Sequence, residues 1–127
     1  MILGVGIDLV KVERIERAVS RWGVLFTRRV FTESELEYCM KQKSPGTHLA
    51  ARFGVKEAVM KAFGTGHSRG VKWTDVELVR LPGGRPSVRL SGRLGDLARE
   101  MGLKDAHVSV SHESGFAVAQ AVLTGGK

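Results

Sequence analysis

Residues 49–66, LAARFGVKEAVMKAFGTG, decide how this chain is read. Wound at about 100° per residue, the segment places Leu49, Phe53, Met60 and Phe63 on one side. Ala51, Val55, Ala58 and Ala62 fall on the opposite side. A helix that is apolar or small around most of its circumference belongs in the middle of a domain. Glycine at positions 64 and 66 stops it, as glycine at a helix C-terminus does. Glu57 and Lys61 sit one turn apart on the strip that also carries Ala50 and Gly54. Two readings stand here. One is an i,i+4 ion pair on a solvated edge. The other is a cleft where an acid and a base beside small residues leave room for a third party, because charges are rarely buried without partners.

Outward from this helix, the flanking sequence alternates between the two periodicities of regular structure. Residues 2–10 read as a strand, with Leu3, Val5, Ile7 and Leu9 on one face and Ile2, Gly4, Gly6, Asp8 and Val10 on the other. Glycines inside a strand mark close approach of another backbone or a ligand. Asp8 therefore either faces open space or caps the helix that follows. Residues 11–22 turn helical, with Val12, Ile15, Val19 and Trp22 as an apolar stripe and Arg14, Arg17 and Arg21 as a basic row. That row is either solvated or docks an acidic helix, a task to which arginine is suited. Thr32 and Glu35 form a capping box, with Phe31 stapled to Leu36, so a helix runs to about Gln42. A turn at residues 43–46 leads into the central helix at Thr47 or His48.

Beyond the glycines, residues 64–72 form a loop with several basic groups, and residues 74–81 and 87–91 pair as a hairpin around PGGRP. A short helix spans about Arg93–Met101. Residues 106–112 and 116–123 make a second hairpin around Glu113-Ser114-Gly115. On the first of these strands His107, Ser109 and Ser111 share one face, and Val108, Val110 and His112 the other. His112 closes its strand at the turn, where it is either structural or within reach of a cleft. The order predicts an α+β domain, residues 1–127, with a mainly antiparallel sheet packed on a long central helix.

Composition narrows the partners. Twenty Lys and Arg against thirteen acids give a net charge of +7, which favours nucleic acid, a phosphate-rich ligand or an acidic protein. No apolar run approaches the length that spans a bilayer, and MILGVGIDLV lacks a signal peptide's basic start. One cysteine, Cys39, excludes an internal disulfide and fits a reducing cytoplasm. A small basic RNA-binding module is the alternative reading, opposed by an aromatic content of only 6%.

Among catalytic chemistries, the four scattered histidines show no zinc spacing, and no nucleophile elbow is present. Asp8 and Glu57 are more coherent. Two carboxylates plus substrate phosphates are the usual holder of Mg²⁺, and Lys61 adds a positive charge for the same phosphates. Metal plus lysine suffices for phosphoryl transfer, which is mostly positioning and charge stabilisation. Spacing alone leaves open whether Asp8 and Glu57 meet.

Three stretches of the chain together resemble a known family. VGIDLV is similar to the opening motif of the short-type 4′-phosphopantetheinyl transferases, the holo-[acyl-carrier-protein] synthases. The central helix resembles their F-x-x-K-E-A-x-x-K-A-x-G-x-G signature at Phe53, Lys56, Glu57, Ala58, Lys61, Ala62, Gly64 and Gly66. HVSVSHESGFAVAQAV resembles their terminal hairpin. The resemblance implies transfer of phosphopantetheine from coenzyme A (CoA) to a serine of apo acyl carrier protein, releasing adenosine 3′,5′-bisphosphate. It implies Asp8 and Glu57 as Mg²⁺ ligands, and Lys61 as a catalytic contact to the CoA pyrophosphate. Glu57, or a water it orients, is then the group that takes the serine proton. Arg52, Phe53, Gly64 and His112 correspond to positions around CoA, and Arg14 to a contact with the acidic helix of the carrier. Longer members contain two copies of the unit, so a chain with one is expected to form a homo-oligomer, a trimer, with sites at subunit interfaces. The carrier then belongs to fatty-acid or polyketide synthesis, and neither nucleic acid nor membrane is a partner.

Overall fold

The computed structural model describes residues 1–126; Lys127, the last residue of the expected 1–127 domain, lies outside the described residues. Strand β1 (Ile2–Lys11) is followed by helices α1 (Val12–Trp22), α2 (Val24–Val30), α3 (Glu33–Met40) and α4 (Pro45–Phe63). A 3₁₀ turn (Trp73–Asp75) introduces the hairpin β2 (Val76–Arg80) and β3 (Pro86–Leu90). Helix α5 (Gly92–Met101) then leads to the second hairpin, β4 (Leu103–Glu113) and β5 (Phe116–Gly125). The larger sheet has the order β1-β5-β4, antiparallel throughout, and the smaller is the β2-β3 hairpin. The expected α+β architecture is the one observed.

Helix α4 lies against the large sheet, and the sequence makes room for it. A Cβ on Gly4 would overlap the carbonyl oxygen of Ala62, and one on Gly6 that of Ala58. On β5, Ala117, Ala119 and Ala121 face the same way and are buried. Small residues on the edge strand β1 and the central strand β5 thus let the helix backbone reach the sheet. One core cluster joins Val55, Ala58, Val59 and Ala62 of α4 to Ala119, Ala121 and Leu123, with Leu78 and Leu94 closing it from β2 and α5. A second gathers Val10, Ile15, Phe31, Leu49 and Phe53 beneath α1–α3.

The face of β1 turned towards α4 is therefore the glycine face. Val5, Ile7 and Leu9 point outwards and are 57%, 60% and 64% exposed, and Phe116 and Val118 of β5 are also exposed.

Several boundaries differ from the sequence reading. The central helix begins at Pro45, two residues early, because proline at the first helical position gives up no hydrogen bond. Residues 24–30 form α2, which the sequence did not announce; it starts after Gly23 at φ +54° with no side-chain cap. Helix α3 ends at Met40 rather than Gln42. Trp22, expected on the buried stripe of α1, is exposed. The strand expected from residue 74 begins at Val76, because Asp75 folds back onto the backbone N–H of Lys72. The capping box formed as expected: Thr32 N–H donates to Glu35 Oε1 at 3.0 Å, and Glu35 N–H to Thr32 Oγ1 at 3.3 Å. Cys39 is buried, and burial pushes its thiol up to about 11.

Candidate active site

The glycine contacts that seat α4 also set the level of the candidate site. Gly6 of β1 backs onto Ala58, and Val10 Cγ2 lies 3.4 Å from where a Cβ of Gly54 would stand. Asp8 lies between Gly6 and Val10 on the same face, at the level of the helical turn that carries Glu57. Lys61, one turn further along, reaches back across this seam. Its Nζ donates to Asp8 Oδ1 at 2.9 Å and to the carbonyl of Ile7 at 3.0 Å. Asp8 thus faces the seam between strand and helix and caps no helix; no side chain caps α1.

Glu57 has other company. Its Oε2 accepts from the Trp73 indole N–H at 2.7 Å and lies 2.7 Å from His67 Nε2. Among the described residues no ion pair joins Glu57 to Lys61, so the i,i+4 alternative falls away. The two carboxylates keep 15% and 18% side-chain exposure for Asp8 and Glu57. Each is enclosed yet open to solvent, as a ligand-binding acid must be. No group of three or more His, Cys, Asp or Glu gathers among the described residues. A closed transition-metal cage is therefore not built; Asp8 and Glu57 offer carboxylate oxygens, the donor type that Mg²⁺ takes.

Around this centre the remaining sequence-predicted residues fall into two groups. Phe53 is buried, with the Arg14 guanidinium 5.6 Å from its ring centre and the Trp73 ring 6.3 Å away. Arg14 thus reaches over Phe53 of α4 while remaining exposed to solvent. Arg17 is paired with Glu13 at 3.2 Å and Arg21 lies over Trp22. The second group lies towards the start of α4. Arg52 is 3% exposed, stacks over Tyr38 at 4.5 Å, and its Nε has no hydrogen-bond partner among the described residues. Burial, followed by the nearby positive charges of Arg52, His112 and Arg80, holds His48 below its ordinary value. His112 is exposed at the end of β4, opposite Ala117. Gly64, apart from both groups at the far end of the helix, caps α4 in the left-handed conformation at φ +79°, with nothing within 4 Å of a would-be Cβ.

Lys56, beside Glu57 in the sequence, is wholly enclosed. Its Nζ lies 2.7 Å from Glu35 Oε1 and donates to the carbonyls of Trp73, at 3.2 Å, and Val76. Burial lowers its pKa, and the charge and hydrogen bond of Glu35 oppose that shift. Trp73 and His67 escaped the sequence reading as partners of Glu57. They follow it by 16 and 10 positions, a separation that encodes no contact.

Comparison with known proteins converges on one family. A profile of the 4′-phosphopantetheinyl transferase superfamily matches residues 4–121. The holo-[acyl-carrier-protein] synthase of Koribacter versatilis is 46% identical over 123 residues, spanning 97% of this chain and 98% of that protein. The crystal structure of the Neisseria meningitidis holo-[acyl-carrier-protein] synthase superposes with a TM-score of 0.90 at 31% identity, covering 98% of this chain and 99% of that one. The Helicobacter pylori synthase, solved in complex with coenzyme A, superposes with a TM-score of 0.83 at 29% identity, covering 94% and 99%.

Proposed function

The chain belongs to the 4′-phosphopantetheinyl transferase superfamily, among its holo-[acyl-carrier-protein] synthases, and from that premise we propose that it moves the phosphopantetheine of CoA onto a serine of an apo acyl carrier protein. The serine oxygen attacks the β-phosphorus of the CoA pyrophosphate, the bridging P–O bond breaks, and adenosine 3′,5′-bisphosphate departs with the bonding pair. The observation that carries this reading is the meeting of Asp8 and Lys61 across the β1–α4 seam, at the level of Glu57.

Asp8 and Glu57 would hold Mg²⁺, which supplies neutralising charge at the pyrophosphate when bound. Lys61, on a solvent-facing tether, turns its ammonium from Asp8 to the departing phosphate oxygens and stabilises charge that grows in the transition state. Glu57 takes the serine proton, directly or through a water it orients. Arg52, with its unpaired Nε, and Arg80, both close enough to His48 for their charges to act on it, make a cationic corner for a further CoA phosphate, with His112 beside His48 as a further contact. Phe53 offers the ligand an apolar wall, and the open face of Gly64 lets it approach the helix end.

The carrier docks on α1 and α2. Arg14, Arg17 and Arg21 present positive charge beside a groove of about 630 Å³ lined by Trp22, Leu25, Phe26, Arg29, Val30 and Trp73. An acidic amphipathic helix complements both features. The exposed face of Val5, Ile7, Leu9, Phe116 and Val118 is the surface for self-association, with a trimer as the assembly and its sites at the subunit seams. Residues 1–127 act as a single transferase domain in the cytoplasm; no described helix is long and apolar enough to cross a membrane.

Mixing the protein with CoA, Mg²⁺ and an apo carrier adds about 340 Da to the carrier, the mass of the transferred arm. Asp8→Ala and Glu57→Ala abolish that gain while remaining folded and oligomeric. No gain with several apo carriers, together with tight RNA binding, would replace this reading with the RNA-binding one.

A further inference from the structure

Glu57 is asked to face a ligand with one oxygen, and its two oxygens are treated very differently by the fold. Oε2 receives both the Trp73 indole N–H and His67 Nε2, each at 2.7 Å. Oε1 receives no hydrogen bond from the described residues. A carboxylate with two donors on one oxygen cannot rotate freely, so the other oxygen keeps a fixed direction.

The two donors are themselves held. The carbonyl of Trp73 accepts from the buried Lys56 ammonium at 3.2 Å, which ties the indole to the helix residue just before Glu57. The 3₁₀ turn that begins at Trp73 is closed by Asp75 accepting from the Lys72 N–H at 3.2 Å. His67 comes from the other direction, on the loop that follows Gly64. Ser68 braces that loop by donating from both its hydroxyl and its N–H to the carbonyl of Thr65. The His67 ring rests against Trp73, with centroids 4.3 Å apart. Imidazole donates to Oε2 through its Nε2–H.

We propose that Trp73 and His67 are positioning residues for the reaction: together they clamp Glu57 Oε2 so that Oε1 alone faces the pyrophosphate and the incoming serine. This rests on the transferase reading for the reaction, and on the geometry alone for the clamp. An oxygen fixed before substrate arrives need not be reoriented during the reaction, so the benefit appears in the chemical step rather than in substrate binding.

Trp73→Phe keeps the ring and removes the N–H; His67→Ala removes the imidazole; His67→Gln restores a donor of similar reach. The expected result is a fall in kcat of about tenfold or more for Trp73→Phe and severalfold for His67→Ala, the scale of a lost hydrogen bond to a charged group. KM for CoA is unchanged, and His67→Gln recovers most of the loss. Wild-type kcat in both Trp73→Phe and His67→Ala, or losses confined to KM, overturns the clamp. A second measurement needs no turnover. The chain has two tryptophans, and Trp22 is exposed, so the indole ¹⁵N–¹H resonance of Trp73 has an internal reference. Glu57→Gln shifts the Trp73 resonance and leaves that of Trp22 in place. An unmoved Trp73 resonance removes the clamp even in an active enzyme. A shifted one in a protein that loads no carrier keeps the clamp and rejects the transferase reading instead.

Discussion

Helix α4 carries two lysines, Lys56 and Lys61, each within hydrogen-bond reach of a carboxylate, and their surroundings could hardly differ more. Lys56 and its partner Glu35 are 0% and 1% exposed in their side chains, whereas Lys61 is 52% exposed beside Asp8. The buried ammonium has carbonyl oxygens of two other residues to bond, and Glu35 accepts from the backbone N–H groups of Thr32 and Leu78. This pair is fully satisfied and joins α3, α4 and β2. Lys61 has one carboxylate, one carbonyl and open water, so it can change partners. A buried charge with every bond made is architecture; a half-exposed one with bonds to exchange is available for chemistry.

The contrast is broken most decisively at Lys56. Lys56→Ala leaves Glu35 buried without its counter-ion, and we expect a loss of about 3–5 kcal/mol of stability, read from urea unfolding. A smaller loss would mean that water reaches Glu35 and that the two lysines are alike. Lys61→Ala gives the opposite pattern. Carrier loading falls by about 100-fold, the scale of removing one transition-state donor, while the unfolding midpoint stays close to wild type, as for an exposed ion pair. Next in size comes Arg14→Glu, which weakens carrier binding by about tenfold with a steep salt dependence and leaves CoA affinity alone; calorimetry with each ligand checks both halves.

The smallest effect concerns Glu77, beside the architectural pair. Hydrogen bonds from Ser34 and Thr32, with lesser help from Arg89 and Lys56, hold its carboxyl below the ordinary 4.5. Its contribution to stability is therefore complete above pH 4.5 and is lost as pH falls through the lowered folded value. Glu77→Gln flattens that part of the acid-unfolding profile. An unchanged profile would assign the acid sensitivity to other carboxylates.

What the residues disclosed in advance follows from the range of each signal. The 3.6-residue period and Gly64 were enough for the central helix, and Thr32 with Glu35 was enough for the start of α3, because these interactions span only a few positions. The β-hairpins were visible through PGGRP and Glu113-Ser114-Gly115. Helix α2 was hidden because VLFTRRV has neither a side-chain cap nor the length to show a period. Asp8, Glu57 and Lys61 stood out as charges on otherwise apolar elements, but alternation could not say which face of β1 is covered. Nor does local pattern reveal that Lys56 is buried and Lys61 is not, or that Trp73 and His67 converge on Glu57. Those contacts depend on where the chain returns after the Gly64 turn.

The close seating of β1 on α4 has a consequence for how the chain finds its structure. Side chains alternate along a strand, so a slip of one residue turns every second side chain to the other face. Such a slip in β1 would press Val5 or Ile7 against the helix where only Gly4 and Gly6 fit, since even a Cβ there meets the carbonyls of Ala62 and Ala58. Slipped pairings of β1 with β5 are therefore rejected sterically during folding. The same rejection brings Asp8 to the level of Glu57 and Lys61 every time the chain folds, so two glycines with no part in the chemistry act as its proofreaders.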